Sequence, residues 1–239
     1  MLDLVHPPIN VLTFASGVIG IPVTHNQVRK AMATPLEKAR KNPDSIKARI
    51  LSIARKLFGQ YGFQGTTTRM IAKEAGIDIS TLHYHWGDKG DLFEAVTHDL
   101  NHETRNKLIE IEKKIKGKAL TTRIEIALDE MFDFLFENPE ISNHTIFRYF
   151  TQTTTDLDLN IGLASVPEYI SDIAYSMGLA ESRKQVSSEA QMKVIFMMNA
   201  LYNFVSGETF FRSILKIDRD AYRRLAKETL KFYNIAPYK

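Results

Sequence analysis

Residues 62–93 read GFQGTTTRMIAKEAGIDISTLHYHWGDKGDLF, and this stretch decides the fold. Its glycines divide it. Thr67 to Ala75 has the composition of a short helix that stops at Gly76, and a second short helix runs from near Asp78 to Trp86. Gly76 can take the left-handed conformation that ends one helix and turns the chain into the next. Ala72 is small where the second helix must cross at close range. Ile71, Ala75, Ile77 and Leu82 supply apolar contacts for the pair, and Thr67 and Asp78 stand where N-caps are wanted. Two short helices joined through a glycine make the helix-turn-helix pattern.

Upstream, Ile46, Ile50, Ile53, Ala54, Leu57, Phe58 and Tyr61 recur at the spacing of one helix face, after a cap at Asp44 or Ser45 and before Gly62. Downstream, Gly87 breaks the chain. Asp88 and Asp91 have capping-box spacing at the head of a long helix from Lys89 to about Lys116. Later segments also read as helices. Ile124 to Phe136 forms a stripe ended by Asn138-Pro139, and a helix follows from Glu140 into the Thr-rich Thr151–Thr155. Another spans about Ile161 to Met177. Met192 to Leu215 reads as one helix with Ser188 and Gln191 as a capping-box pair, and Asp218 caps the last, which carries Tyr222, Leu225, Leu230 and Tyr233. No strand-like alternation is present, so the expected class is all-α.

The stretch resembles the signature of the TetR family of transcriptional regulators. The matching positions are Gly62-Phe63, Thr66-Thr67, Ile71-Ala72, Ala75-Gly76-Ile77, Thr81-Leu82, Tyr84-His85-Trp86, Lys89, Asp91 and Leu92. The resemblance is strong over Asp44 to Phe93. Beyond it, only the number, length and apolar character of the helices agree. Three positions depart: His83 replaces a tyrosine that commonly touches the DNA backbone, Asp78 replaces a serine cap, and Gly90 replaces an acidic residue.

The resemblance implies a three-helix helix-turn-helix DNA-binding domain over 44–93 and a larger helical domain over 94–239 for ligand sensing and dimerisation. Residues 1–43 are expected to be a poorly ordered extension, and Met32 opens a polar lead-in that could serve as a start. A recognition helix exposes its N-terminal residues to base edges in the major groove. That makes Ile79, Ser80 and Thr81 the base-facing candidates, with Arg69 placed to reach a guanine O6/N7 pair. Thr67, Thr68, His83, Tyr84, His85 and Lys89 complete the DNA-binding set, mostly as phosphate contacts. Trp86 is read as core. The resemblance also implies a pocket for a small apolar or aromatic ligand, with Met131, Phe132, Phe136, Phe147, Phe150, Phe196, Met197 and Tyr202 as lining candidates. The last two helices are expected to pair with their mates in a homodimer.

Composition narrows the alternatives. Cysteine is absent, which removes disulfides, cysteine-ligated zinc and thiol redox chemistry and fits a cytoplasmic protein. Basic residues exceed acidic ones by five to two over 1–43 and by seven to five over 44–93, whereas 94–239 carries nineteen against twenty-one. That excess lies where an anionic partner is expected. The apolar run Val11 to Val23 is interrupted, falls short of the roughly 20 residues a membrane span needs, and has no basic lead-in for a secretory signal. His98 and His102 share a helix face but lack the glutamate of the zinc-protease pattern, so neither metal nor cofactor is expected. No nucleophile elbow, phosphate loop or triad spacing points to an enzyme. Two readings stay open: a sequence-specific regulator, expected to be a repressor on a pseudo-palindromic operator, and an architectural DNA-binding protein with little sequence preference.

Overall fold

The computed structural model describes residues 35–150 and 166–235, apart from the side chains of Tyr149, Phe150, Val166 and Pro167. The 11–23 run, Met32, Thr151–Thr155 and the start of the helix expected from Ile161 lie outside the described residues.

Helix α2 (Ile46–Gly65) is the base of the N-terminal unit. Ser45 caps it by accepting from the Ala48 amide, and Ile50, Ala54 and Phe58 line its fully buried face. The helix is broken at Gly62, whose φ of 67° lies in the region favoured by glycine, and then resumes to Gly65. The buried Thr66 hydroxyl sits between two carbonyls there, 2.8 Å from Gly62 O and 3.0 Å from Leu57 O. Helix α3 (Thr68–Ala75) is capped by Thr67, which accepts from the Met70 amide, and ends on Gly76 in the left-handed conformation. Helix α4 (Ile79–Trp86) follows. The backbone of Asp78 is extended as a cap should be, but its side chain accepts no capping bond. Helix α5 (Lys89–Ile115) opens with the reciprocal Asp88–Asp91 capping box expected from the spacing. Ile71, Ala72, Ala75, Leu82 and Trp86 are all buried and hold the short helices to α2 and α5.

The helical remainder comprises α6 (Leu120–Glu137), α7 (Pro139–Phe150), α8 (Val166–Ser176), α9 (Ser188–Ser206), α10 (Glu208–Leu215) and α11 (Arg219–Ile235). Two expectations are corrected. The cap of α9 is Ser187, which accepts from the Ala190 amide, so Ser188 is already helical. The segment Met192 to Leu215 is two helices, because the chain breaks at Gly207, against which the Phe211 ring is packed. Asp218 caps α11 through the Ala221 amide at 2.8 Å. Helices α6 and α11 are laced together by Lys227 between Asp129 and Asp133, Lys231 on Asp129 and Arg223 on Asp133.

Part of the expected extension is ordered. Residues 35–41 form a helix, α1, that buries Leu36 and Ala39 in the common core and holds Asp99 of α5 through Arg40 at 2.8 Å. Helix α7 also packs on α2, more extensively than α5 does, so both helices bridge the two parts. Phe93 sits edge-on to Phe58 and Phe63, each 5.0 Å away, and His144 of α7 lies 4.9 Å from the same ring.

His144 is buried. The Thr97 hydroxyl is 2.9 Å from the Phe93 carbonyl, to which it donates, so it accepts from His144 Nε2 at 3.0 Å. Burial, and secondarily the charge of Arg148, push the imidazole down from about 6.5 to about 3. Because the folded-state value lies below the unfolded one, the unfolded chain takes up this proton first as the pH falls. The contribution of the neutral imidazole is therefore complete above the unfolded value and is lost between about 6.5 and 3. Thermal unfolding from pH 7 down to pH 4 should show a steepening loss of stability in the wild type. His144→Gln, which keeps a donor near Thr97, should flatten that loss by about one proton's worth. Parallel profiles would remove His144 as the cause.

Candidate nucleic-acid interface and ligand cavity

The helix-turn-helix pair presents one polar face. Thr67, Arg69, Ser80, His83 and Tyr84 are exposed on it, Ile79 is at the margin of exposure, and Thr68, Thr81, His85 and Lys89 are half-buried. Tyr84 is the most open, at 84%. The structure thus brings the ten expected DNA-binding residues to the outer side and rims of α3 and α4. Their chemistry is not equivalent, because four of them already have hydrogen-bond partners: Thr67, His83, His85 and Lys89.

Lys89 differs most from expectation. Its ammonium donates to the carbonyls of Phe63 at 3.0 Å and Thr66 at 3.1 Å, and lies 4.1 Å from the Phe63 ring centroid. It closes the orphaned C-terminal carbonyls of α2 and ties that end to the start of α5. One proton is left for a phosphate. The residue is first a clamp.

The two histidines on the face divide by tautomer. His83 Nδ1 lies 2.8 Å from the Gly87 carbonyl, which can only accept, so Nδ1 carries the proton and the neutral ring leaves Nε2 as a lone pair. Only its imidazolium form could donate to a phosphate. His85 Nδ1 faces the ammonium of Lys47 at 2.8 Å and must accept, which places the proton on Nε2. Burial, then the Lys47 charge, lower the His85 pKa and keep that ring neutral. His85 can therefore donate to a phosphate without being charged, beside a lysine that supplies the charge. Lys47 was missed by the sequence reading. The signal available was a lone lysine one residue into α2, which nothing local distinguishes from a solvated one.

A cavity of about 200 Å³ lies in the helical part between α5, α6, α8 and α9. Of the expected lining residues, Met131, Met197 and Tyr202 line it. Five do not. Phe132 and Phe136 stack on each other at 5.5 Å in the core, and the Phe136 ring is covered by the guanidinium of Arg219 at 4.5 Å. Phe147 packs against Gly62, and Phe196 is 61% exposed on another face. Phe150 closes α7 and its side chain lies outside the described residues. The walls instead come largely from Leu108, Ile111 and Ile115 on α5, Ile173 on α8 and Met177 just beyond its end. Their three- and four-residue spacing was the signal, obscured by the charged residues interleaved along α5. At the rim Arg183 pairs with Glu112 and with Asp172, and the Arg105 guanidinium lies 5.6 Å from the Tyr169 ring.

His98 engages Glu94 at 3.4 Å and His102 engages Asn106 at 3.2 Å. Among the described residues no group of three His, Cys, Asp or Glu is placed to hold a metal ion, and no helix is long and apolar enough to cross a membrane.

A helix-turn-helix unit whose two short helices expose polar side chains, set in an otherwise helical chain, is the architecture of the helix-turn-helix class. Residues 50–96 match the family described as bacterial regulatory proteins, tetR family, so the helix-turn-helix unit is a domain of that type. An HTH-type transcriptional regulator of Staphylococcus aureus is 34% identical over 102 residues, which cover 41% of this chain and 52% of that one. The chain thus spans about half the length of the curated relative it matches. A TetR-like transcriptional regulator from Rhodococcus sp. RHA1 superposes over 80% of this chain and 96% of its own, with a TM-score of 0.57 and 17% identity. The transcriptional regulator FadR of Bacillus subtilis, solved with stearoyl-CoA, gives 0.51 and 16% identity over 77% of this chain and 96% of that one. These likenesses show the shared fold.

The clamp can be separated from any DNA contact. Lys89→Met keeps the stem and removes the ammonium, leaving two helix-terminal carbonyls without their donor. It should lower the stability of the DNA-free protein by about 1–2 kcal/mol in chemical denaturation. An unchanged denaturation midpoint would return Lys89 to a purely phosphate-binding role.

Proposed function

We propose that the protein is a homodimeric, sequence-specific transcriptional regulator, acting as a repressor that leaves a pseudo-palindromic operator when a small apolar ligand fills the cavity. The observation that carries this reading is the exposed face on α3 and α4. Arg69, Ile79, Ser80 and Thr81 stand there on a buried base, so base-edge groups are held at fixed spacing before DNA arrives. Lys47, His85 and Tyr84 flank them as backbone contacts. The reading needs no catalytic activity, and its DNA partner places the protein in the cytoplasm.

Dimerisation is supported by unpartnered apolar surface. Met192, Phe196, Phe210, Ile214, Leu215, Leu225, Phe232 and Tyr233 are 45–66% exposed, all on α9, α10 and α11. Two adjoining grooves there share Phe204, Phe211 and Thr229. A continuous face of this kind marks an association surface, and a second copy supplies the recognition helix that one short helix needs for specificity. The interface then involves three helices, since α9 and α10 are separate.

The cavity lining favours an alkyl chain over an aromatic ring. Of the phenylalanines expected there, Phe132, Phe136, Phe147 and Phe196 turn elsewhere, and methionine, leucine and isoleucine make most of the walls beside Tyr169 and Tyr202. An aliphatic lining suits an acyl or alkyl chain, the class to which the stearoyl-CoA bound by the Bacillus subtilis protein belongs.

Duplexes selected by the protein from a random pool should compete for it far better than unselected duplex at physiological salt; equal competition would leave only an architectural role. Arg69→Ala should weaken the selected duplex by about 1–3 kcal/mol and relax preference at one base position. Ile214→Glu should yield a monomer in sedimentation at micromolar concentration and abolish tight binding to the selected duplex. A dimer that survives this substitution would move the interface to another face.

A further inference from the structure

Arg55 lies midway along α2, inside the DNA-binding unit, and its guanidinium meets carboxylates from both long-range neighbours of that helix. Nη1 donates to Asp99 Oδ2 at 2.9 Å and to Glu103 Oε1 at 2.6 Å, both on α5. Nη2 donates to Glu103 Oε2 at 2.7 Å and to Glu140 Oε1 of α7 at 2.9 Å. The other oxygen of the buried Asp99 takes Nε of Arg40 from α1 at 2.8 Å. Two cations and three carboxylates therefore join four helices at the seam between the two parts. Burial opposes the charge on Arg55, but the hydrogen bonds of Glu103 and the charges of Glu103, Asp99 and Glu140 outweigh it and raise its pKa. The planar fork grips Glu103 through two parallel bonds while still reaching Glu140, a geometry that a lysine ammonium does not offer.

Helix α5 itself lines the cavity, and α7 starts where α6, which also lines it, ends. Thr104 and Arg105, which follow Glu103, line the cavity. Leu135 lines it near the end of α6, and the Asn138-Pro139 corner then leads straight to Glu140. Any shift of α5 or of the α6–α7 corner that makes room for an occupant carries Glu103 or Glu140 with it. Hydrogen bonds of this kind either meet the fork or miss it, because they weaken steeply with misalignment.

We infer that Arg55 is a positioning residue that sets the orientation of the DNA-binding unit on the helical part, with Glu140 of α7 as the second grip beside α5. The inference rests on the regulator reading above and assigns its coupling to α7 as well as to the long helix. The orientation of each unit determines the distance between the two recognition helices of a dimer, so loosening Arg55 changes which half-site spacing fits. Arg55 touches neither the DNA face nor the cavity lining. Its effect is exerted through α5 and α7.

The test uses the full chain and a duplex it selects from a random pool, together with duplexes whose half-sites are one base pair closer or farther apart. Glu140→Gln is nearly isosteric and removes only one charge; Arg55→Lys keeps charge and loses the fork. Each should reduce the preference for the selected spacing by about tenfold. Glu140→Gln should leave the denaturation midpoint and the sedimentation state as in the wild type. The double variant should be no worse than the stronger single one, because both break the same link. If Arg55→Lys is unfolded, Glu140→Gln decides alone. A selected duplex whose spacing preference survives overturns this inference and leaves the regulator reading standing. A wild-type protein that selects no duplex overturns both.

Discussion

Helix α7 lies as close to α2 as it does because residue 59 carries no side chain. A Cβ on Gly59 would stand 3.1 Å from Glu140 Cβ and 3.2 Å from its Cα, tighter than packed atoms ordinarily tolerate. One turn further along, Gly62 meets the Phe147 ring in the same way. These contacts bring α7 close enough for His144 to reach Thr97 and for Glu140 to reach Arg55. Most of the seam between the DNA-binding unit and the rest follows from that approach. The Phe58, Phe63 and Phe93 cluster fills the space beside it.

Two kinds of polar chemistry result. At the seam, charged groups are held in a satisfied network, where an unpaired member is costly and geometry is sharply specified. On the DNA face the groups are exposed and left adaptable, except where a backbone carbonyl or a lysine has already chosen a histidine tautomer. That division suits a protein whose rigid part must hold position while its outer face meets a hydrated phosphate backbone.

The cavity adds the third element. It is bounded by the same α5 that carries Asp99 and Glu103 and by the end of the α6 that turns into α7. In the coupling proposed above, occupancy and orientation are thus linked through two helices. In a close-packed interior, small shifts at the cavity are transmitted because the packed helices have few alternative arrangements.

Much of this was legible in the chain itself. Local rules sufficed for Thr67 and Ser45 as caps, Gly76 as a turn, the Asp88–Asp91 box and the helical spacing of the core, because each depends on residues within one or two turns of each other. The exposed polar face of α3 and α4 follows from the same periodicity. What depended on distant partners was not legible. Lys89 reads as a surface cation until the end of α2 comes to rest beside it. Lys47 becomes part of the face only when α4 brings His85 to it, and residues 35–41 read as a loose extension until Asp99 offers Arg40 a partner. The cavity shows the same limit: periodicity reports that a residue is apolar and on a buried face, but not whether that face meets another helix or an empty space. The sequence by itself determined most of the helices, the caps at Thr67, Asp88 and Asp218 and the helix-turn-helix motif. The tertiary structure alone decided which phenylalanines are core, which aliphatic residues line the cavity and how Arg55 joins the two parts, because those outcomes depend on the close approach of helices far apart in the chain.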